Sequence, residues 1–354
     1  MPGSEDAISR RWVWLDVAKG VGIVLVVIAH IADNSSLPGA PAVFGVLSLF
    51  FMPLFFVISG FLYAPRERAP FIRRRLQTLA LPYVLFLGAV MVAIIAVETL
   101  RGDLPELWQL RQRVVDAILG GRYLVREFGI FWFVSCLFFT QIVYNEVALR
   151  ARGPGDPRVV AFAAAAVGLA YLMQFLWPDN RSPLALAQVP LAIGAFWFGQ
   201  LLRHRGFALL PSLGFVGGVL AAALVGYGLG ADFTFSMKNG VYGPPLLGFV
   251  LALALSLGVL LAVRSIESIR TLSAPFAALG EASLVIMFLH QFVHFTLRDA
   301  GVSNEVILLA LSVGVPYAVY LCLERSEVLS PWFLGRGELT TSLHRIARGF
   351  VPRS

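Results

Sequence analysis

WVWLDVAKGVGIVLVVIAH, residues 12–30, is long and apolar enough to cross a bilayer as one helix, which takes about 20 mostly apolar residues. It nevertheless carries Asp16, Lys19 and His30. Ionisable groups are costly at bilayer depth and persist there when they face protein or a water-filled cavity. On a helix turning about 100° per residue, Lys19 falls roughly 60° from Asp16, and His30 roughly 20° from Lys19, so the three share one face. Lys19 and His30 are then roughly 16 Å apart along the axis, with a cation at one mouth and an imidazole deep inside. Such a line suits an elongated ligand. Asp16 is too far from His30 to touch it and is expected to pair with Lys19. Asp33, three residues beyond His30, is the candidate to orient the ring.

The rest of the chain is written in the same apolar style. Its 354 residues are 58% hydrophobic and only 14% charged, with mean hydropathy +0.78. That composition implies an all-α integral membrane protein, a bundle of about ten transmembrane helices. The apolar spans fall near 13–31, 43–63, 76–97, 128–149, 159–177, 184–202, 207–229, 243–263, 282–297 and 306–323; the ninth, short and holding two histidines, is the weakest as a full crossing. No soluble domain or internal repeat interrupts them, so residues 1–354 read as one transmembrane domain, with a short leading segment 1–12 and a tail 324–354. The first span is too long for a signal-peptide core and lacks an A-x-A site, so it is expected to stay as an anchor.

The net charge of +7 and pI near 9.8 do not point to nucleic acid. The arginines cluster in alternate loops: Arg10 and Arg11, Arg66 to Arg75, Arg150 to Arg158, Arg203 and Arg205, Arg264 and Arg270, and the tail. This is the positive-inside pattern, and it puts both termini in the cytoplasm of a multi-pass protein of the cell inner membrane. Cys136 and Cys322 both sit in apolar spans, where neither a disulfide nor a metal role is expected. Among the glycines, the run GFVGG at 214–218 marks a site for close helix packing.

Several segments could carry chemistry, each with a plainer alternative. His30 is either a satisfied packing residue or, at the edge of the polar run ADNSS (32–36), a base for an alcohol, with a reference pKa near 6.5 suited to that task. Arg73, Arg74 and Arg75 are either charge anchors, a site for anionic lipid headgroups, or guanidinium forks for a polyanion; Ser59 adds polarity at the inner end of the second span. Residues 98–127 hold either an amphipathic surface helix or a lid. Trp132 is either an interface anchor or a sugar-stacking platform. His290 and His294, at i and i+4, have a metal-ligand spacing, but with no third ligand nearby and no HExxH pattern they are expected instead to line the cavity of His30.

Taken together, LDVAKGVGIVLVVIAH (15–30), FFVISGFLY (55–63), RRRLQTLALPY (73–83), FWFVSCLFF (131–139) and LGEASLVIMFLH (279–290) resemble the acyltransferase 3 family of membrane-bound acyltransferases, and within it the fucose 4-O-acetyltransferase-like branch, which modifies sugars. Ten residues separate Lys19 from His30, the family's spacing, with lysine where arginine is commoner; Thr78 stands where a second basic residue is usual. The resemblance implies that His30 is catalytic, as general base or transient acyl carrier, and that acetyl-CoA is drawn from the cytoplasm. Lys19, Arg73, Arg74, Arg75 and Ser59 would hold that donor, while Trp132, His290 and His294 would meet a glycan or glycolipid acceptor. Membrane lipids are further partners, and self-association is left open. The rival readings are an ion-coupled secondary transporter of a sugar or acylated lipid, using Asp16, Lys19 and His30 as a relay, and a non-catalytic subunit of a polysaccharide assembly complex.

Overall fold

The structure, a computed structural model, describes residues 12–103, 105–179, 181–206 and 213–336. Arg10 and Arg11, the tail arginines Arg345, Arg348 and Arg353, and the first residues of the expected span 207–229 lie outside them. Helices dominate, as apolar sequence in lipid requires, because backbone groups there have only each other to bond. Among the described residues, eight helical segments are long and apolar enough to cross a membrane. A ninth crossing exists if the bent pair α12 (Arg270–Glu281) and α13 (Ser283–Asp299), which turn 77° at their junction, is one broken span. The remaining expected span is represented by a short apolar helix, α10 (Leu213–Gly228).

The opening stretch forms α1 (Val13–Asp33). It packs against α2 (Ala40–Ser48), α3 (Phe51–Phe61), α11 (Leu247–Ile266), α12, α13 and α14 (Glu305–Arg325), and so is the axis of the bundle. The expected span 43–63 is broken between α2 and α3. Pro53 explains the break: it has no N–H, and its ring would clash with the carbonyl four residues earlier, so the helix restarts just before it. Pro82 has a gentler effect. The segment from α4 (Arg68–Arg75) to α5 (Leu81–Arg101) stays helical but widens into a π turn over Leu76–Ala80. A wider turn relieves the proline's clash with the Thr78 carbonyl.

Close helix packing lies elsewhere than the sequence suggests. At Gly217 and Gly218 an added Cβ would meet nothing within 4 Å. The tight crossings use isolated glycines in reciprocal pairs. Gly20 of α1 rests on the Phe276 carbonyl of α12, and Gly280 of α12 on the Asp16 carbonyl of α1. Gly60 of α3 and Gly199 of α9 (Val189–Arg205) do the same with the Phe196 and Val57 carbonyls. A Cβ at any of the four would collide with backbone, which no rotamer change relieves.

Loop 98–127 contains the expected amphipathic helix, α6 (Leu107–Leu119), started by a capping box between Glu106 and Gln109. Beyond it, 121–131 is a chain of short turns leading into α7 (Trp132–Ala148). A two-stranded hairpin, β1 (Phe235–Ser236) and β2 (Val241–Tyr242), dips back into the protein between α10 and α11, burying Phe235, Met237 and Tyr242.

Candidate active site

The helices place the polar residues at two separate ends. At one, the start of α1 meets the end of α3 through Trp14 and Phe61, 5.3 Å between rings. Lys19 is ion-paired with Asp16 at 2.6 Å, as their spacing predicts. From α3 the chain runs to α4, where Arg75 lies over Phe71 at 4.8 Å with its Nε unpartnered, while Arg73 and Arg74 are exposed. Arg203 of α9 donates to the carbonyls of Phe61 and Tyr63, and Asn145 of α7 bonds Tyr63 and the backbone of Arg66, which fixes this end. Ser59 sits partly buried on α3 beside the tightly packed Gly60.

At the other end His30 occupies the last turn of α1, closed by Asn34 Nδ2 donating to the His30 carbonyl at 2.9 Å. The ring lines a cavity of about 410 Å³ together with Asp33, Arg126, Trp132, Lys238 and Gln291. Its Nε2 is buried without a hydrogen-bond partner. The His290 ring of α13 lies 5.4 Å away, inclined by 32°. His290 Nδ1 faces the carbonyls of Ile286 and Met287 at 2.9 and 3.0 Å. Carbonyls only accept, so Nδ1 carries the hydrogen, and in the neutral ring Nε2 keeps a lone pair with no partner. Two imidazoles with unsatisfied nitrogens therefore stand side by side, His30 on the cavity wall and His290 buried against it. Buried polar atoms are normally satisfied, and a pair left open beside a cavity is suited to take and pass a proton from a bound ligand.

Three sequence expectations need correcting here. Asp33 lines the cavity but makes no hydrogen bond to the His30 ring; as the last residue of α1 it turns its carboxylate to solvent. Trp132 is no interface anchor, being 3% exposed and facing the cavity. His290 and His294 are both buried and neither lines the cavity: His290 packs against the His30 ring, and His294, with both ring nitrogens unpartnered, packs beside Phe295. Nor do the two ends communicate through open space. Gly22, Ile23 and Val26, on the α1 surface between Lys19 and His30, are buried, and Gly22 packs on Leu54 and Phe55.

Lys238, Gln291 and Gly129 were not picked out in the sequence. Lys238 sits in the hairpin turn, held by Gln188 Nε2 donating to its carbonyl at 3.1 Å, and its Nζ donates to the Leu124 carbonyl at 2.6 Å. Burial, and then the Arg122 guanidinium, pull its pKa from the usual 10.5 to about 8. One signal was available: Lys19 and Lys238 are the two lysines of a chain otherwise served by arginine.

Residues 12–323 match the model of the acyltransferase 3 family, an acyltransferase domain. No curated protein gives a significant match to the chain.

Proposed function

The chain belongs to the acyltransferase 3 family, and from that membership we propose that it is a membrane O-acetyltransferase that moves an acetyl group from cytoplasmic acetyl-CoA to a hydroxyl of an envelope or exported glycan. The observation that carries the reading is His30, whose ring lines the cavity with an unpartnered Nε2 and has the buried His290 imidazole 5.4 Å away. His30 takes the proton of the acceptor hydroxyl as that oxygen attacks the thioester carbonyl. The C–O bond forms, the C–S bond breaks, and the imidazolium returns the proton to the departing thiolate. His290, its Nδ1–H held by two carbonyls, is a fixed ring beside His30.

Donor and acceptor arrive from opposite ends. Lys19 and Arg75 offer cations to the phosphates of the donor, and the guanidinium of Arg75 still has an unpartnered Nε to give. The acetyl-bearing arm runs along α1 between the ends. Since Gly22, Ile23 and Val26 fill that path, donor binding has to part α1 from α3, a gating step of the kind that often limits turnover.

Membranes carrying His30→Ala test the chemistry. Acceptor acetylation, read as the mass of one acetyl group added to the glycan, falls by about 10²–10⁴-fold, the span a general base contributes. Unchanged product at equal protein level would remove the proposed role. A transporter using the same residues would instead move its substrate down an ion gradient without consuming acetyl-CoA.

A further inference from the structure

Gly129 lies in the turn before α7 with φ −58° and ψ −20°, a conformation open to any residue. Its missing side chain therefore gives room, not backbone freedom. A Cβ there would come 2.8 Å from Gln291 Oε1, 2.9 Å from the Arg126 carbonyl and 3.4 Å from Lys238 Nζ. That room is taken up by these neighbours, and the glycine lets an ammonium and an amide oxygen come together on the wall of the cavity that all three residues line. Neither group is used up by the protein. Gln291 is 5% exposed and its Oε1 has no hydrogen-bond partner. Lys238 Nζ spends one bond on Leu124 and has no ion pair among the described residues. Three chain segments far apart in sequence, 129, 238 and 291, converge on this stretch of wall, and His30 lines the same cavity within electrostatic range of Lys238.

We propose that Gly129, Lys238 and Gln291 form a seat for a second hydroxyl of the acceptor, so that the enzyme selects a polyol and fixes which of its hydroxyls reaches His30. A hydroxyl both accepts and donates, and here it accepts from Lys238 Nζ and donates to Gln291 Oε1. A carboxylate or phosphate fits less well, because it would satisfy the ammonium but face the bare amide oxygen. A simple alcohol would leave both groups unpaired, which is the strongest form of discrimination a polar pocket offers. The proposal rests on the acyl-transfer reading above.

The test uses full-length protein in native membranes, labelled acetyl-CoA as donor and the host's isolated envelope glycan as acceptor, with the acetylated position mapped on the product. Gly129→Ala, Lys238→Met and Gln291→Leu each raise the apparent acceptor KM by about tenfold to a hundredfold, as expected for a lost hydrogen bond to a buried or charged group. They also spread acetyl over more than one position, and the donor KM stays put. Lys238→Arg, which keeps a cationic donor, recovers part of the loss. Thermal midpoints are measured for all four; should Lys238→Met or Gln291→Leu unfold, Lys238→Gln and Gln291→Met take their place, because a Cβ at Gly129 meets the Arg126 carbonyl at 2.9 Å and its effect is read only alongside them. Wild-type acceptor KM and position in the folded Lys238 and Gln291 variants, with His30→Ala inactive, would overturn the seat and leave the acyl-transfer reading standing. A lowered KM in Gln291→Leu would show an anion in the seat. Activity in His30→Ala would remove the underlying reading instead.

Discussion

Lys238 has the microenvironment from which a pH response can be derived. Around it lie Arg122 on the 121–123 turn, Arg126 beyond it, and His30 and Asp33 at the end of α1. Burial and Arg122 depress its pKa to about 8 in the folded protein, against 10.5 when unfolded. The cation is therefore present below pH 8 and lost as pH rises through that value. Acceptor KM in wild-type membranes is expected to climb across pH 8, while Lys238→Arg, charged throughout, stays flat; the same slope in both variants would assign the titration to another group. Linkage has the opposite sense for stability. Between about pH 8 and 10.5 the unfolded chain holds a proton that the folded chain has shed, so this residue's contribution to stability rises with pH there. His30 itself was legible in the sequence, because an imidazole on a polar face of an apolar helix has few bland explanations. The seat was not. Gly129, Lys238 and Gln291 lie in three different segments, each with an ordinary local role, and only the folded chain brings them to one cavity wall.

Among elements, the reciprocal glycine crossings fix the frame on which the site is hung. Gly60 and Gly199 bring α3 and α9 to backbone contact, as Gly20 and Gly280 do for α1 and α12. Gly60→Ala forces a Cβ into the Phe196 carbonyl and is expected to destabilise by about 1–3 kcal/mol, the usual cost of overpacking. Gly217→Ala meets open space and is expected to be neutral or to stabilise by up to about 1 kcal/mol through helix propensity. Thermal unfolding of the detergent-solubilised protein compares them, and a lower midpoint for Gly217→Ala than for Gly60→Ala would refute the assignment. The helices themselves could be read from hydropathy alone, since lipid leaves the backbone no other choice. What hydropathy could not show was which glycines touch, because GFVGG looks like a packing motif wherever it lands. The break before Pro53 and the π turn before Pro82 are intermediate cases, visible once each proline's clash with the carbonyl four residues earlier is counted.

Across the whole molecule, cations and carboxylates are matched at one end, while at the other arginine outnumbers its acidic partners even though Arg68 and Arg150 pair with Glu146. Around the histidines, Arg113 is bidentate to Glu98, Arg126 pairs with Glu127 and Asp299, and Arg298 pairs with Glu305. At the opposite end Arg73 and Arg74 are exposed, and Arg150, Arg152, Arg158 and Arg205 gather around one basic cleft in which Asp156 is the acidic residue. Excess arginine marks the cytoplasmic side of a membrane protein, because cations are the groups that resist translocation. On the function proposed above, the histidine cavity would open outward to the exported acceptor and the basic end would face the donor. Cysteine labelling tests this orientation directly. In a background with the exposed Cys322 replaced by serine and Cys136 left buried, Asn239→Cys in the hairpin turn is expected to react with a membrane-impermeant thiol reagent on intact cells. Arg74→Cys is expected to react only after the cells are opened. The inverse pattern would turn the molecule over and, with it, exchange the sides from which donor and acceptor come.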